Sequence, residues 1–190
     1  YVTLKSMIEK ARRLSRTGAS VSDEIVKDWI NEAMRQFVID AGGITEVGEL
    51  TIVGNSVVVP EHFFSLHHLF IGRNELRRGS MQILANADIE GTPALYFLSA
   101  GKILFDRKCS SPGMPCRIIY DRFPAELVEE TDIPELPEKA HLALAYLAAS
   151  KLSEENFEYD EATRALANYR NEIQRYLQDQ SNANPSIFGK

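Results

Sequence analysis

Three histidines, two cysteines, a run of acids and two arginine doublets are the residues whose types and spacing could do chemistry. His62, His67 and His68 lie close together, and a zinc centre needs three or four ligands that converge. His67 and His68 fall on an apolar run that reads as a strand, where neighbours point to opposite faces and cannot share a metal. His62 sits in the turn Pro60-Glu61-His62-Phe63-Phe64 that leads into that strand. Surface or packing roles are expected for all three, and no metal. Cys109 and Cys116 bracket Ser-Ser-Pro-Gly-Met-Pro. They could bridge across a hairpin if oxidised, but in a cytosolic setting they stay reduced, and no second pair completes a zinc site. Glu126, Glu129, Glu130, Asp132 and Glu135 occupy a proline-broken loop and read as a solvated charge run. No G-x-S-x-G elbow, Walker loop, H-E-x-x-H or dinucleotide fingerprint occurs. No catalytic residue and no cofactor is expected. Arg12-Arg13 and Arg77-Arg78 could touch phosphate, but no aromatics interleave with basic residues to make a stacking platform for single strands.

The elements that must position these residues follow from periodicity. Thr3 caps a first helix with Leu4, Met7, Ile8, Ala11 and Leu14 at helical spacing, and Gly18 ends it. Ser22 caps a second, with Asp23 and Glu24 where the helix dipole favours anions. Its apolar pairs Ile25/Val26, Trp29/Ile30, Ala33/Met34 and Phe37/Val38 make one broad face, stopped at Gly42-Gly43. The middle changes period. Hairpins are expected at Leu50–Val59 about Gly54-Asn55, at Leu66–Arg78 about Gly72-Arg73-Asn74, and at Ala94–Asp106 about Ala100-Gly101. A short helix or loop spans Ser80–Ala87, and Arg117–Tyr120 supplies a last strand. Pro124, Pro134 and Pro137 mark an extended passage. Pro137-Glu138 opens a third helix running to Leu152, and a fourth runs from about Asp160 to Gln178.

This order predicts an α+β fold: a four-helix bundle built from the N- and C-terminal helix pairs, with an antiparallel β module inserted between them. The expected parts are 1–43 and 134–180 for the helix pairs, 44–133 for the module, and 181–190 for a tail. Ile25, Trp29, Ala33, Phe37, Leu142 and Leu147 are the expected bundle core.

Composition bounds the rest. The 190 residues are 44% hydrophobic and 25% charged with net charge −6, an ordinary folded mix that argues against wrapping nucleic acid over the whole surface. The longest apolar stretch, Ala140–Leu152, falls short of the roughly 20 residues of a membrane span. No secretory leader is expected, and Tyr1 in first position gives the expectation that a short leader has been lost. Charge is uneven: 1–17 carries five bases against one acid, whereas 121–180 carries 14 acids against six bases. Opposite ends of this kind read most simply as two solvated helix faces, and alternatively as surfaces by which copies or partners meet head to tail.

Several motifs, in order, resemble the head-to-tail adaptors (connectors) of tailed bacteriophages. They are Ser22-Asp23-Glu24-Ile25-Val26-Lys27-Asp28-Trp29-Ile30-Asn31-Glu32-Ala33, then Val57-Val58-Val59-Pro60-Glu61-His62-Phe63 and Phe70-Ile71-Gly72-Arg73-Asn74-Glu75-Leu76-Arg77-Arg78. Gly91-Thr92-Pro93-Ala94-Leu95-Tyr96-Phe97 and Pro134-Glu135-Leu136-Pro137-Glu138-Lys139-Ala140-His141 follow. The resemblance spans about Thr3 to Leu177. It implies a structural virion protein of the neck, assembled in the host cytoplasm as a homo-oligomeric ring, usually of twelve copies. Such a ring binds beneath the portal protein, extends the DNA channel and offers a platform to the tail or a second connector. DNA is then only passing channel content, and no membrane is involved. The resemblance also implies portal contact by C-terminal segments, which assigns Arg175, Tyr176, Ile187 and Phe188 to that role. The alternative is a small DNA-binding regulator with a helix-turn-helix-like N-terminus, against which Glu24, Asp28 and Glu32 on the second helix would repel a major groove.

Overall fold

A computed structural model describes residues 2–16, 21–110 and 113–183. The chain divides into a helical unit, 1–44 with 123–190, and a β unit, 45–122. Residues 123–133, which the sequence pattern groups with the strands, fall with the helices, because strand pairing ends at Arg122.

In the helical unit, α1 (Leu4–Ser15) is capped by the Thr3 hydroxyl, and α2 (Asp23–Ala41) by Ser22. Gly18 lies outside the described residues, and α1 closes at Arg16 in a left-handed conformation. Gly42 ends α2 with φ +100, a region that L side chains rarely adopt. Next come α3 (His141–Glu155), entered through a 3₁₀ turn at Glu138–Ala140, and α4 (Tyr159–Ala183). Helix α3 touches the other three. Its buried residues include Ala143, Ala145, Ala148 and Ala149, whose small side chains let neighbours approach from several sides.

The expected core is only partly the observed one. Ala33 and Phe37 are fully buried, but Ile25 is 44% exposed, and Trp29, Leu142 and Leu147 are half-buried. The buried stripe of α2 is Val26, Ile30, Ala33, Met34, Phe37 and Val38. Helical geometry explains the graded exposure. A step of four residues overshoots one 3.6-residue turn by about 40°, so Ile25, Trp29, Ala33 and Phe37 rotate progressively from solvent to core.

Among the described residues the β unit holds eight strands in two four-stranded sheets, ordered β1-β8-β3-β4 and β2-β7-β6-β5. The strands are β1 (Ile44–Ile52), β2 (Ser56–Val58), β3 (Phe63–Ile71), β4 (Asn74–Glu75), β5 (Arg77–Arg78), β6 (Leu95–Ser99), β7 (Lys102–Phe105) and β8 (Met114–Arg122). A 3₁₀ helix, Met81–Asn86, fills the expected helix-or-loop position. The Ala100-Gly101 hairpin forms as expected between β6 and β7.

The other two hairpins need correction. At Gly54-Asn55 the turn is real, since Val53 and Ser56 exchange hydrogen bonds of 3.0 and 3.2 Å. The strands on either side then part: β1 pairs with β8, and β2 with β7. At Gly72 the hairpin stops at Glu75, and Arg77–Arg78 crosses to the second sheet to pair parallel with β6. Turn residues report that the chain bends, whereas the partner a strand keeps is chosen by burial against distant strands. The core between these strands includes Ile52, Leu69, Ile103, Phe105 and Ile118, all with no exposed surface.

Candidate functional surfaces

The acidic passage is not a free charge run. Asn31 makes a reciprocal pair with Leu127, donating to its carbonyl at 3.0 Å and accepting from its N–H at 2.8 Å. Glu126 pairs with Arg35, and Glu130 with Lys5 at 3.1 Å. The Leu4 and Lys5 N–H groups donate to the carbonyls of Asp132 and Glu130, so the loop satisfies the otherwise orphaned first turn of α1. Asp132 accepts from the N–H groups of Val128 and Glu129, which hold its carboxyl below the usual range. Glu135 accepts from the Ala125 N–H. Periodicity carries no sign of these contacts, because a loop that caps a remote helix has no period of its own.

Helices α2, α3 and α4 border an open groove of about 400 Å³, lined among others by Trp29, Leu147, Leu166 and Tyr169. On its wall the Tyr169 hydroxyl donates to Asp40 at 2.6 Å. Burial, followed by that carboxylate, pushes the phenol far above its ordinary value. Lys151 meets Glu32 at 3.2 Å. Trp29 and Leu147, expected in the core, are thus groove-lining residues.

Of the residues assigned to portal contact, Arg175 and Tyr176 lie on α4 beside a second open cavity with Lys139 and Asp179. The Tyr176 ring stands edge-on to Phe37 at 5.1 Å, and Arg175 is held by Glu172 at 2.7 Å. Ile187 and Phe188 lie outside the described residues. Phe157 and Tyr159 were no part of the expected site, yet they are 78% and 62% exposed at the α3–α4 turn, with Phe157 at φ +61. A bulky side chain at positive φ carries backbone strain, a feature the linear sequence does not display.

In the β unit each histidine meets its own acid. His67 Nε2 lies 3.0 Å from Asp121, His68 Nδ1 2.6 Å from Glu75, and His62 3.7 Å from Glu61. Among the described residues no group of three or more His, Cys, Asp or Glu is placed to hold a metal. Cys109 and Cys116 are both buried free thiols, and Cys109 Sγ contacts Met114 Sδ at 3.8 Å. Burial pushes both thiols up, Cys116 to about 11, so little reactive thiolate is present near neutrality. Among the described residues no helix is long and apolar enough to cross a membrane.

The family model described as SU10 adaptor protein matches residues 2–187, which takes in both units. No curated protein matches the chain.

Proposed function

This chain belongs to the SU10 adaptor protein family, a phage head-to-tail adaptor family, and on that premise we propose that it builds the ring beneath the portal. Its role is a structural adaptor of the virion neck. In this reading about twelve copies close into a ring, with the four helices of each subunit packed as a bundle, lengthening the DNA channel and giving the tail or a second connector its docking platform. The observation that carries the reading is the family match across nearly the whole chain.

The physical features support it. A closed ring needs heterologous contacts between unlike faces of one subunit, and the helical unit offers an open groove at Trp29 as well as the exposed Phe157 and Tyr159. The exposed side of α2 carries Glu24, Asp28 and Glu32, which suits protein contact better than a major groove. Arg175, Tyr176, Ile187 and Phe188 are proposed to touch the portal. Co-sedimentation with purified portal rings tests both levels. The full chain should pellet with them, and truncation after Gln180 should weaken or abolish pelleting while leaving thermal stability nearly unchanged. Full-strength pelleting of the truncated chain would move the anchor off the tail, and no pelleting of the full chain would contradict the adaptor role.

A further inference from the structure

The β unit is neutral by formal charge, with eight acids and eight bases over 45–122, but its two signs are used very differently. Glu61, Glu75 and Asp121 face histidines, Glu46 holds Arg122 at 2.9 Å, and Asp106 accepts from the N–H groups of Ala94 and Leu95. By contrast, Arg73, Arg77, Arg78, Lys102, Arg107 and Lys108 are exposed and make no ion pair with any described residue. Glu49, Asp88 and Glu90 are exposed and unpaired among the described residues too, so the uncommitted charge is six bases against three acids, a positive excess that the neutral composition conceals.

Part of that surface is concave. Where the chain crosses from β4 in one sheet to β5 in the other, a cavity of about 490 Å³ is lined by His67, Glu75, Leu76, Arg77, Arg78 and Tyr96. Three independent features shape it. His67 sits at a register shift of β3 against β8, a bulge of the kind that re-aims a side chain. Its ring is fixed by Asp121, itself only 11% exposed at the side chain and anchored by the Thr45 hydroxyl at 2.7 Å. The neighbouring backbone is pinned as well. Leu76 is buried and donates its N–H to Leu69, while Arg77 donates to Ala94, so the two guanidinium stems start from fixed points. Tyr96 is almost fully buried, and its hydroxyl has no hydrogen-bond partner among the described residues. The one acid in the lining, Glu75, is held by His68.

We propose that this cavity binds a phosphate group, with Arg78 on β5, in register with Tyr96, as the guanidinium donor, Arg77 on the other face of the strand adding positive potential, and the Tyr96 hydroxyl and His67 ring as supporting contacts. Guanidinium forks match phosphate oxygens two at a time, which a lone ammonium cannot do. The group comes either from free inorganic phosphate or from the backbone of duplex DNA, and both present the same oxygens.

The test uses the full chain and two probes, inorganic phosphate and a labelled duplex of arbitrary sequence, at low salt. Side-chain NMR of the arginines reads the first, and fluorescence anisotropy the second. Arg77→Ala with Arg78→Ala removes the fork and the added potential while keeping the backbone pairing of β5. Loss of at least about tenfold in affinity, with the log-log salt slope for duplex reduced by about 1, is expected of that double variant. Tyr96→Phe removes one donor, keeps the ring in the core, and should weaken binding by a few-fold. Response to phosphate as well as duplex identifies a site for the free ion, and response to duplex alone identifies the backbone. Binding by neither probe overturns the proposal, and so does a folded double variant that titrates like the parent chain. The ring reading is untouched by either result, since no portal is present in the assay.

Discussion

The helical unit and the β unit resolve their charges in opposite directions. Over 1–44 and 123–190 there are 13 bases and 19 acids, and most of the bases are consumed locally: Arg12 holds Asp23, Arg164 holds Glu161, Lys139 holds Asp179. What stays uncommitted there is acid, notably Glu154, Glu155, Glu158 and Asp160 around the exposed Phe157. In the β unit five of the eight acids have a partner, whereas Arg122 is the one base that forms an ion pair among the described residues. A net charge of −6 therefore describes neither surface. For a protein whose family works by meeting other proteins, two surfaces of unlike sign on one chain supply the complementarity that steers encounter.

The largest expected effects ask whether each unit owns a separate core. Phe37→Ala in the helical unit and Phe105→Ala in the β unit each empty a fully buried site and should cost about 3–5 kcal/mol. Urea titration followed by the fluorescence of Trp29 and by circular dichroism reads both. An unchanged midpoint for either variant would remove that residue from its core. Trp29→Ala should fall below that range, because the ring lines an open groove and gives up less burial.

A middle-sized effect sharpens the chemistry of the groove. Tyr169→Phe deletes a hydrogen bond to a carboxylate and should cost about 1.5–3 kcal/mol at neutral pH. Because the folded phenol is raised above the ordinary value of 10.0, this stability is fully present below pH 10 and is lost as pH rises beyond it. The parent chain should therefore lose stability above pH 10 more steeply than Tyr169→Phe. Parallel slopes would dissociate the hydroxyl from Asp40.

The acidic loop gives a smaller effect of opposite sign in pH. Asp132 is lowered by the Val128 and Glu129 N–H groups, so its contribution is present above the ordinary carboxylate value of 3.8 and is lost as pH falls through the lower folded value. Hydrogen exchange at Val128 and Glu129 should accelerate in Asp132→Asn, and equal protection in both chains would contradict the assignment. Smallest of all, Lys151→Ala removes one surface pair and should change stability by about 0–1 kcal/mol. A larger loss would mean that the pair fixes the groove wall.

How much of this was legible in the sequence differs between the same two regions. All four helices, both N-terminal caps and the Gly42 stop follow from periodicity and cap chemistry, which are local. The drift of about 40° along α2 is equally present in the spacing, and it carries Ile25 out of the core. The sheets were legible only as turns. Gly54-Asn55 marked a bend correctly, but the separation of β1 from β2 and the crossing of Arg77–Arg78 depend on partners dozens of residues away. Site chemistry was hardest to read, because pairs such as Tyr169–Asp40 and Asn31–Leu127 join positions with no common pattern.

Electron microscopy of the purified full chain, alone and mixed with portal, tests the central claim most directly. Rings of about twelve subunits, or portals carrying an added ring at one end, are the predicted images. Single subunits in the first sample together with undecorated portals in the second would contradict it.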